Sequence, residues 1–191
     1  MQRLVTIGAS VGGLQALSII LGDLPADFPG SVAIVQHRRA GEGSLLCELL
    51  GRKSVLPVIE PCHGTPIRPG HVYLAPPDYH LLVEPGVFAL SVDPPVCCSR
   101  PSIDVLFESA AAAYRERAIG VVLTGANADG AMGAARLAAL GATIIVQDPA
   151  TAEGTACPLS ALERVPHADV LSLAEIGPQL NRLCRQPRRA G

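Results

Sequence analysis

The sequence predicts an α/β fold: a doubly wound, mostly parallel sheet with helices on both faces and an antiparallel hairpin insertion. Three observations lead to this prediction. Short apolar segments rich in β-branched residues alternate with helical segments near both ends of the chain, which is the pattern of a parallel sheet. The middle of the chain instead has short strands joined by tight turns. The composition, 49% hydrophobic and 17% charged, is typical of one domain with a full core, and no repeat or linker divides residues 1–191.

The first part of the chain alternates between strand and helix patterns. The predicted elements are a strand at 4–7, a helix that ends near residue 21, a strand at 32–35, a helix at 45–50 and a short strand near residue 58. This alternation is typical of parallel strands joined by crossover helices.

The middle of the chain differs because turn-forming residues interrupt its apolar segments. The segments at 72–74, 79–83 and 87–92 are separated by Pro76-Pro77-Asp78 and Glu84-Pro85-Gly86. Pro, Asp and Gly are residues that tight turns favour. We expect an antiparallel hairpin in this part.

The last part returns to the parallel pattern. A helix is predicted after Pro101-Ser102, since apolar residues from Ile103 to Tyr114 recur at helical spacing. The later predicted elements are a strand at 120–124, an alanine-rich helix at 130–140, a strand at 143–146, and helices near residue 159 and at 173–183.

Charge and aromatic content argue against a nucleic-acid or membrane role. The formal net charge is −2, and the chain has no Trp, three Phe and three Tyr, so it lacks both a strong positive field and a platform for stacked bases. No apolar run approaches the roughly 20 residues that span a bilayer, and the N-terminus does not read as a signal peptide. We expect a cytoplasmic protein with no nucleic-acid partner and no membrane insertion.

The cysteines and histidines do not have the spacing of a metal site. The six cysteines, at positions 47, 62, 97, 98, 157 and 184, include no C-x-x-C pair. The five histidines are scattered and lack the paired spacing that fixes a metal on one helical face. We expect no metal, and reduced thiols that are mostly buried.

The most informative motif is Gly8-Ala9-Ser10-Val11-Gly12-Gly13, which follows the first strand. It fits G-x-S-x-G, in which a sharp strand-to-helix turn presents a serine hydroxyl as a nucleophile. A dinucleotide fingerprint would need glycine at position 10 and an acidic residue after the second strand, where the chain has Gln36-His37. A plain turn with Ser10 as a helix cap is a third interpretation.

Three polar residues follow predicted parallel strands, at the sheet edge where reacting groups gather in open α/β folds. They are Ser10, His37 and Asp129. A serine hydroxyl needs an imidazole to remove its proton, and an aspartate fixes the tautomer of that imidazole. We therefore interpret them as nucleophile, base and orienting acid. Taken singly, His37 can also simply end a strand, and Asp129 can cap the following helix.

These residues resemble the catalytic domain of the bacterial chemotaxis protein-glutamate methylesterases. That family carries a G-A-S-T-G-G elbow, a Q-H strand end and an L-T-G-x-x-x-D-G loop, and this chain is similar to all three in the same order. The segments at 69–76 and 100–107 add to the resemblance, which covers about residues 4–183. It identifies residues 1–191 as a single methylesterase-like catalytic domain with its core at about 4–183.

The resemblance implies an esterase that converts methylated glutamate on the cytoplasmic helices of chemoreceptors to glutamate and methanol; some members of the family also deamidate glutamine there. It assigns the triad to Ser10, His37 and Asp129 and implies that no cofactor is needed. The expected oxyanion or substrate-binding residues are Val11, Gly12, Ala126 and Asn127, with the amides of Val11 and Ala126 as the main donors.

The chain also departs from the family pattern. Val11 stands where Thr is usual, Ala126-Asn127 where Met-Gly is usual, and Arg38-Arg39 where Met-Pro is common. The first two departures motivate an alternative function, a catalytically weakened domain that binds methylated receptor or signalling proteins. The two arginines either favour an acidic receptor surface or are solvated.

Control of the activity is a further expectation of the resemblance. The family enzyme usually carries an N-terminal phosphoacceptor domain, whereas Met1 here lies almost at the first predicted strand. Either the sequence is a fragment of a longer regulated protein, or a free-standing esterase whose phosphoacceptor regulator is a separate protein.

Overall fold

A computed structural model of the chain describes residues 2–38 and 45–186. The elements of the first half are β1 (Leu4–Ala9), α1 (Gly13–Gly22), β2 (Ser31–Gln36), α2 (Leu45–Gly51), β3 (Val58–Ile59), β4 (Val72–Leu74), β5 (His80–Glu84) and β6 (Val87–Ser91). Those of the second half are α3 (Ile103–Tyr114), β7 (Ala118–Val122), α4 (Ala131–Ala139), β8 (Thr143–Gln147), α5 (Ala156–Arg164), β9 (Asp169–Leu171) and α6 (Leu173–Arg185).

Seven parallel strands form the central sheet, in the order β3-β4-β2-β1-β7-β8-β9. β1 pairs with β2 on one side and with β7 on the other. The chain leaves β1 toward β2 but leaves β7 toward β8, so the connections diverge between β1 and β7. Ligands of open α/β sheets bind beyond the carboxyl ends of the strands at such a point. The predicted parallel sheet is confirmed, and the carboxyl end of β1 is where a site is expected.

Helices cover both faces of the sheet, and an apolar core lies under each set. Neighbouring residues of β1 supply opposite cores, because successive strand side chains point to opposite faces: Leu4 belongs to one core and Val5 to the other. α3, α4 and α5 cover the Leu4 side, and α1, α2 and α6 cover the Val5 side. The doubly wound arrangement is therefore confirmed.

The antiparallel insertion consists of β5 and β6, which form a two-stranded sheet of their own. The amide of Val83 on β5 donates a hydrogen bond to the Ser109 hydroxyl of α3 (3.0 Å), which attaches the hairpin to that helix. The segment 72–74, grouped with the hairpin in the sequence, lies instead in the parallel sheet between β2 and β3. All three of its residues are buried, as expected of a strand covered on both faces.

Two strands differ from the sequence prediction. β9 was not predicted, because it has only three residues, lies at the sheet edge and is mostly exposed, so it carries no buried apolar pattern. β7 was predicted at 120–124 but ends at Val122. Leu123 and Thr124 therefore begin the loop that borders the candidate site.

The cysteines differ from expectation in their exposure. All six are free, but only Cys157 is buried. Cys62, Cys97 and Cys98 are exposed, so the expectation of mostly buried thiols was wrong. The adjacent pair lies in the irregular segment between β6 and α3, where no core forms around it.

The α-helices of the described residues contain between 7 and 13 residues. Within 2–38 and 45–186, no helix has both the length and the apolar character needed to cross a bilayer.

Candidate active site

Ser10 lies in the turn between β1 and α1, at the centre of the sheet. Its amide donates a hydrogen bond to the Thr124 carbonyl (2.9 Å), and the Gly13 amide closes the turn by donating to the Ser10 carbonyl (2.9 Å). Gly12 has a φ of 77°, which glycine adopts without strain. The glycines of the motif thus produce the sharp turn that the sequence predicted.

The loop after β7 approaches Ser10 closely because position 125 is glycine. A Cβ atom at Gly125 would lie 3.0 Å from the Cβ of Ser10 and 2.3 Å from the Sγ of Cys157. The Gly125 amide donates to the Gly154 carbonyl (2.8 Å), which fixes the loop from its other side. Any larger residue at 125 would push the loop away from Ser10.

His37 follows β2 and lies beside Ser10. Its amide donates to the Ala9 carbonyl (3.0 Å), which continues the β1–β2 pairing by one residue. The imidazole Nδ1 is 3.2 Å from the Ser10 hydroxyl, and Nε2 is 2.7 Å from a carboxylate oxygen of Asp129. An ionised carboxylate can only accept, so Nε2 carries the proton and Nδ1 is free to accept the Ser10 proton.

Asp129 is buried and held by four donors. One oxygen accepts from the Ser102 hydroxyl (2.8 Å) and the Asp104 amide (3.0 Å). The other accepts from the Ile103 amide (2.8 Å) and from His37. Burial alone would raise the pKa of Asp129, but the hydrogen bonds from His37 and the two amides outweigh it and lower that pKa. The carboxylate is thus charged and oriented toward the imidazole.

The first turn of α3 supplies the amides that hold Asp129. In turn, the carboxylate of Asp104 on α3 accepts hydrogen bonds from the first amides of α4. Asp104 accepts hydrogen bonds from the amides of Gly130 (3.0 Å) and Gly133 (2.7 Å) at the start of α4. Each of the two neighbouring helices is therefore capped by an aspartate associated with the other. Burial, with the Asp129 charge adding to it, raises the pKa of Asp104 despite these bonds.

One group of three potential metal ligands occurs among the described residues, formed by Cys97, Asp104 and Asp129. Both oxygens of Asp129 already accept two hydrogen bonds each, and one oxygen of Asp104 accepts two. Capping of α3 and α4 accounts for this proximity of carboxylates, and the donor set does not favour a cation.

The expected oxyanion residues differ in whether their polar groups are already used. The amides of Val11, Gly12 and Ala126 donate no hydrogen bond to another of the described residues. The Asn127 side chain is occupied, because its oxygen accepts from the Asp129 amide (3.2 Å) and from the Cys157 thiol (3.6 Å). The site therefore offers backbone donors at the two predicted positions, while the Asn127 side chain stabilises the loop.

The structure adds positioning residues that the sequence analysis did not single out. The Gln36 amide group donates to the carbonyls of Ser10 (2.8 Å) and His37 (3.0 Å), which ties the nucleophile turn to the end of β2. The Thr124 hydroxyl donates to the Val11 carbonyl (2.8 Å), and Ser102 holds Asp129. Gln36 and Thr124 belong to the motifs of the family resemblance, and Ser102 begins the predicted helix, but the sequence did not show these contacts.

Two open cavities lie at the site, one lined by Ser10 and the other by His37. The larger, about 750 Å³, adjoins Ser10 and is bordered by Gln36 and by Glu153. The smaller, about 330 Å³, adjoins His37 and is bordered by Arg38 and Arg100. Arg39, considered together with Arg38 in the sequence, lies outside the described residues.

Comparison with known proteins identifies the family and the fold of the chain. The family model for CheB methylesterase matches residues 5–180. The chain belongs to the CheB methylesterase family. The crystal structure of the Thermotoga maritima CheB methylesterase catalytic domain has the same fold, with a TM-score of 0.92 and 33% identity, covering 96% of this chain and 99% of that one. The family resemblance and the fold predicted from sequence are thereby confirmed.

Curated relatives of the CheB methylesterase family differ in how much of their length this chain covers. A Leptospira interrogans (strain Fiocruz L1-130) protein is 42% identical over 94% of this chain and 93% of its own length. An Anaeromyxobacter dehalogenans protein named protein-glutamate methylesterase/protein-glutamine glutaminase 2 is also 42% identical, over 96% of this chain but 54% of its own length. The domain therefore occurs in relatives of both lengths.

Proposed function

We propose that this chain is a serine esterase that hydrolyses glutamate γ-methyl esters on chemoreceptors to glutamate and methanol, and that deamidates glutamine there. The observation that carries the proposal is the continuous hydrogen-bonded line from Ser10 through His37 to Asp129. Both activities appear in the names of relatives such as the Anaeromyxobacter dehalogenans protein.

In the acylation step, the Ser10 oxygen attacks the ester carbonyl while Nδ1 of His37 accepts the hydroxyl proton. The 3.2 Å separation is close enough for that transfer once substrate tightens the site. The imidazolium that forms is stabilised by Asp129, whose four donors keep it ionised and in place. His37 then gives the proton to the methoxide as it leaves as methanol.

The negative charge of the tetrahedral intermediate needs donors that are already in position. The free amides of Val11 and Ala126 fulfil this role. Val11 precedes α1, and Ala126 follows Gly125, the residue at which the loop after β7 comes close to Ser10. Backbone donors do not depend on side-chain identity, so Val11 and Ala126 serve despite departing from the family pattern.

In the second step, water attacks the acyl-enzyme with His37 again acting as base, and the glutamate carboxylate is released. An amide substrate follows the same path, with ammonia leaving in place of methanol. No step requires a metal or an organic cofactor. The proposed partners are the methylated cytoplasmic helices of chemoreceptors, which makes the cytoplasm the expected compartment and chemotaxis signalling the expected pathway. Control by a separate phosphoacceptor protein stays a prediction of the resemblance.

The alternative function, a weakened domain that binds methylated proteins without turnover, is motivated by the same two departures. The loop at 126–127 is held in place by the hydrogen bond from the Cys157 thiol to the Asn127 side chain. This ordered loop favours the active esterase over the weakened domain. The two proposals differ in whether methanol is released.

The decisive experiment measures methanol release from a methylated chemoreceptor fragment by wild type, Ser10→Ala and His37→Ala, with equal folding verified by circular dichroism. We expect losses on the order of 10³-fold or more in both variants. Ser160→Ala, which changes a serine on α5, is the matched control and should retain wild-type activity. Binding of the fragment without any methanol from wild type would instead support the alternative.

A further inference from the structure

The smaller cavity, beside His37, is lined by a buried cationic side chain, Arg38, that has unused hydrogen-bond donors. The Arg38 side chain is only 2% exposed. Its Nη2 group donates to a carboxylate oxygen of Glu60 (2.6 Å) and to the Ala75 carbonyl (2.7 Å). Its Nε and Nη1 groups are buried and have no hydrogen-bond partner among the described residues. Buried donors of a charged group are rarely left without an acceptor, so the site lacks something that would accept.

A second guanidinium borders the same cavity. Nη1 of Arg100 donates to the carbonyls of Val92 (2.9 Å) and Asp93 (3.2 Å), while its buried Nε has no partner in the part of the chain that the structure describes. Both acceptors are neutral, and Arg100 forms no ion pair with another of the described residues. Glu60 partly neutralises Arg38, and Asp78 also lines the cavity. Because no carboxylate contacts Arg100 directly, Arg100 supplies the unbalanced positive charge of the cavity.

The size and chemistry of the cavity limit what it can bind. At about 330 Å³ it is near the lower end of ligand cavities, too small for a nucleotide and suited to one short side chain. Planar guanidinium groups with free N–H donors match the two oxygens of a carboxylate. Ser99 adds a hydroxyl to the lining. The missing acceptor is therefore a small anion with planar oxygens.

The position of the cavity relates this anion to the substrate. His37 contacts the Ser10 hydroxyl through Nδ1 and also lines the smaller cavity, whereas Ser10 lines the larger one. The ester under attack must sit at Ser10, so a carboxylate in the smaller cavity is a different group from the one being hydrolysed. Residues three or four apart on a helix lie within about 6 Å of each other, which is a separation that can span one imidazole ring.

We infer that Arg38 and Arg100 form a subsite for an acidic side chain, Asp or Glu, that neighbours the esterified glutamate on the substrate helix. This inference rests on the proposed esterase function. It makes Arg38 a specificity determinant that favours substrates with an unmodified carboxylate beside the ester.

The test compares two methylated receptor fragments that differ only in whether Glu or Gln occupies the neighbouring position. For wild type we expect kcat/KM to be about tenfold higher for the Glu fragment, mainly through KM. Arg38→Met should lose that preference, so that its kcat/KM values for the Glu and Gln fragments become equal. Arg164→Met, an exposed arginine at the end of α5, is the charge-matched control and should keep the preference.

Several outcomes would overturn the subsite. Equal rates for the two fragments with wild type would remove the preference, and an equal loss on both fragments in Arg38→Met would show a structural role only. Arg100→Lys keeps the charge but removes the planar fork. It should reduce the preference without abolishing turnover of the Gln fragment, and an unchanged preference would exclude Arg100.

A binding measurement separates this inference from failure of the esterase proposal. Calorimetry with Ser10→Ala should show tighter binding of an unmethylated Glu-containing fragment than of its Gln counterpart, and the difference should disappear in Ser10→Ala/Arg38→Met. If no methanol is ever released but this difference persists, the subsite stands and the esterase proposal fails. Displacement of the Glu fragment by millimolar inorganic phosphate as readily as by acetate would indicate a general anion site and overturn the carboxylate assignment.

Discussion

At the scale of single residues, the charge on Asp129 determines which nitrogen of His37 carries the proton. Its oxygens face only donors, namely one hydroxyl, two amides and the imidazole of His37. An amide group at this position would present an NH₂ to at least one pair of those donors. The tautomer of His37 that leaves Nδ1 free to accept from Ser10 therefore depends on the carboxylate.

Asp129→Asn should reduce the proposed methanol release on the order of 10³–10⁴-fold, because Nε2 of His37 would lose its acceptor and the wrong tautomer would form. Asp148→Asn is the control, since its oxygen caps only the short turn at Ala150 (2.9 Å) and asparagine caps as well. Release by Asp129→Asn within tenfold of wild type would contradict the assigned role.

Asp104 leads to a prediction of pH dependence. Its pKa is raised in the folded state by burial and by the Asp129 charge, so the folded protein holds this proton more tightly than the unfolded chain. Stability from this group is fully present below its unfolded pKa of about 3.9 and is lost as pH rises through the folded value. Asp104→Asn keeps an acceptor for Gly130 and Gly133 but has no such proton.

The stability of Asp104→Asn relative to wild type should therefore increase as pH rises from about 4 and then level off. Urea unfolding across that range measures the difference. Asp104→Ala removes the cap of α4 and should cost about 1–2 kcal/mol at pH 7. A pH-independent difference between Asn and Asp would show that the folded pKa is not raised.

At the scale of single residues, the sequence predicted the three reacting groups but not the side chains that hold them in place. Ser10, His37 and Asp129 were predicted to form one site because each follows a strand and carries recognisable chemistry, and the structure brings them into contact. Gln36 and Ser102 were not assigned roles, because their contacts depend on how β2 and α3 meet the site. Such contacts between distant segments leave no periodic signal in the chain.

At the scale of elements, the contact between α3 and α4 positions Asp129, and it depends on a glycine. A Cβ at Gly133 would lie 2.5 Å from the Cβ of Phe107 and 3.0 Å from the Asp104 carbonyl oxygen. The second atom belongs to the backbone of α3, which cannot move without shifting the amides that hold Asp129.

Gly133→Ala should therefore destabilise the protein by about 1–3 kcal/mol and lower the proposed activity. Gly51→Ala is the matched control, since nothing lies within 4 Å of a Cβ there at the end of α2. The control should be neutral or stabilising by up to about 1 kcal/mol. Chemical denaturation gives both values, and equal stability of the two variants would show that α3 and α4 can separate at no cost.

The elements themselves were predictable in proportion to their burial. β1, β2, β7 and β8 are buried apolar runs and were found, whereas the exposed edge strand β9 was not. β4 was found as a strand but grouped with the hairpin, because strand partners are chosen by tertiary packing rather than by local pattern.

At the scale of the whole molecule, the six free cysteines sample different depths of the fold. Burial of Cys157 and partial burial of Cys184 raise the pKa of each thiol to about 11. Burial and the nearby charges of Asp129 and Asp104 also raise the pKa of the exposed Cys97. The thiolate is the reactive form, so reactivity should follow both access and pKa.

Labelling of the native protein at pH 8 with a chromogenic disulfide reagent should modify Cys62 and Cys98 first and Cys97 more slowly, because only these three thiols are exposed. Cys157 and Cys184 should react only on unfolding, so that all six thiols are counted in denaturant. Cys62→Ser should remove one equivalent from the fast phase, and Cys157→Ala should remove one from the thiols that react only in denaturant. Reaction of all six at a single rate would mean that the two cores open together on the timescale of labelling, contrary to the packing of α5 and α6 against the sheet.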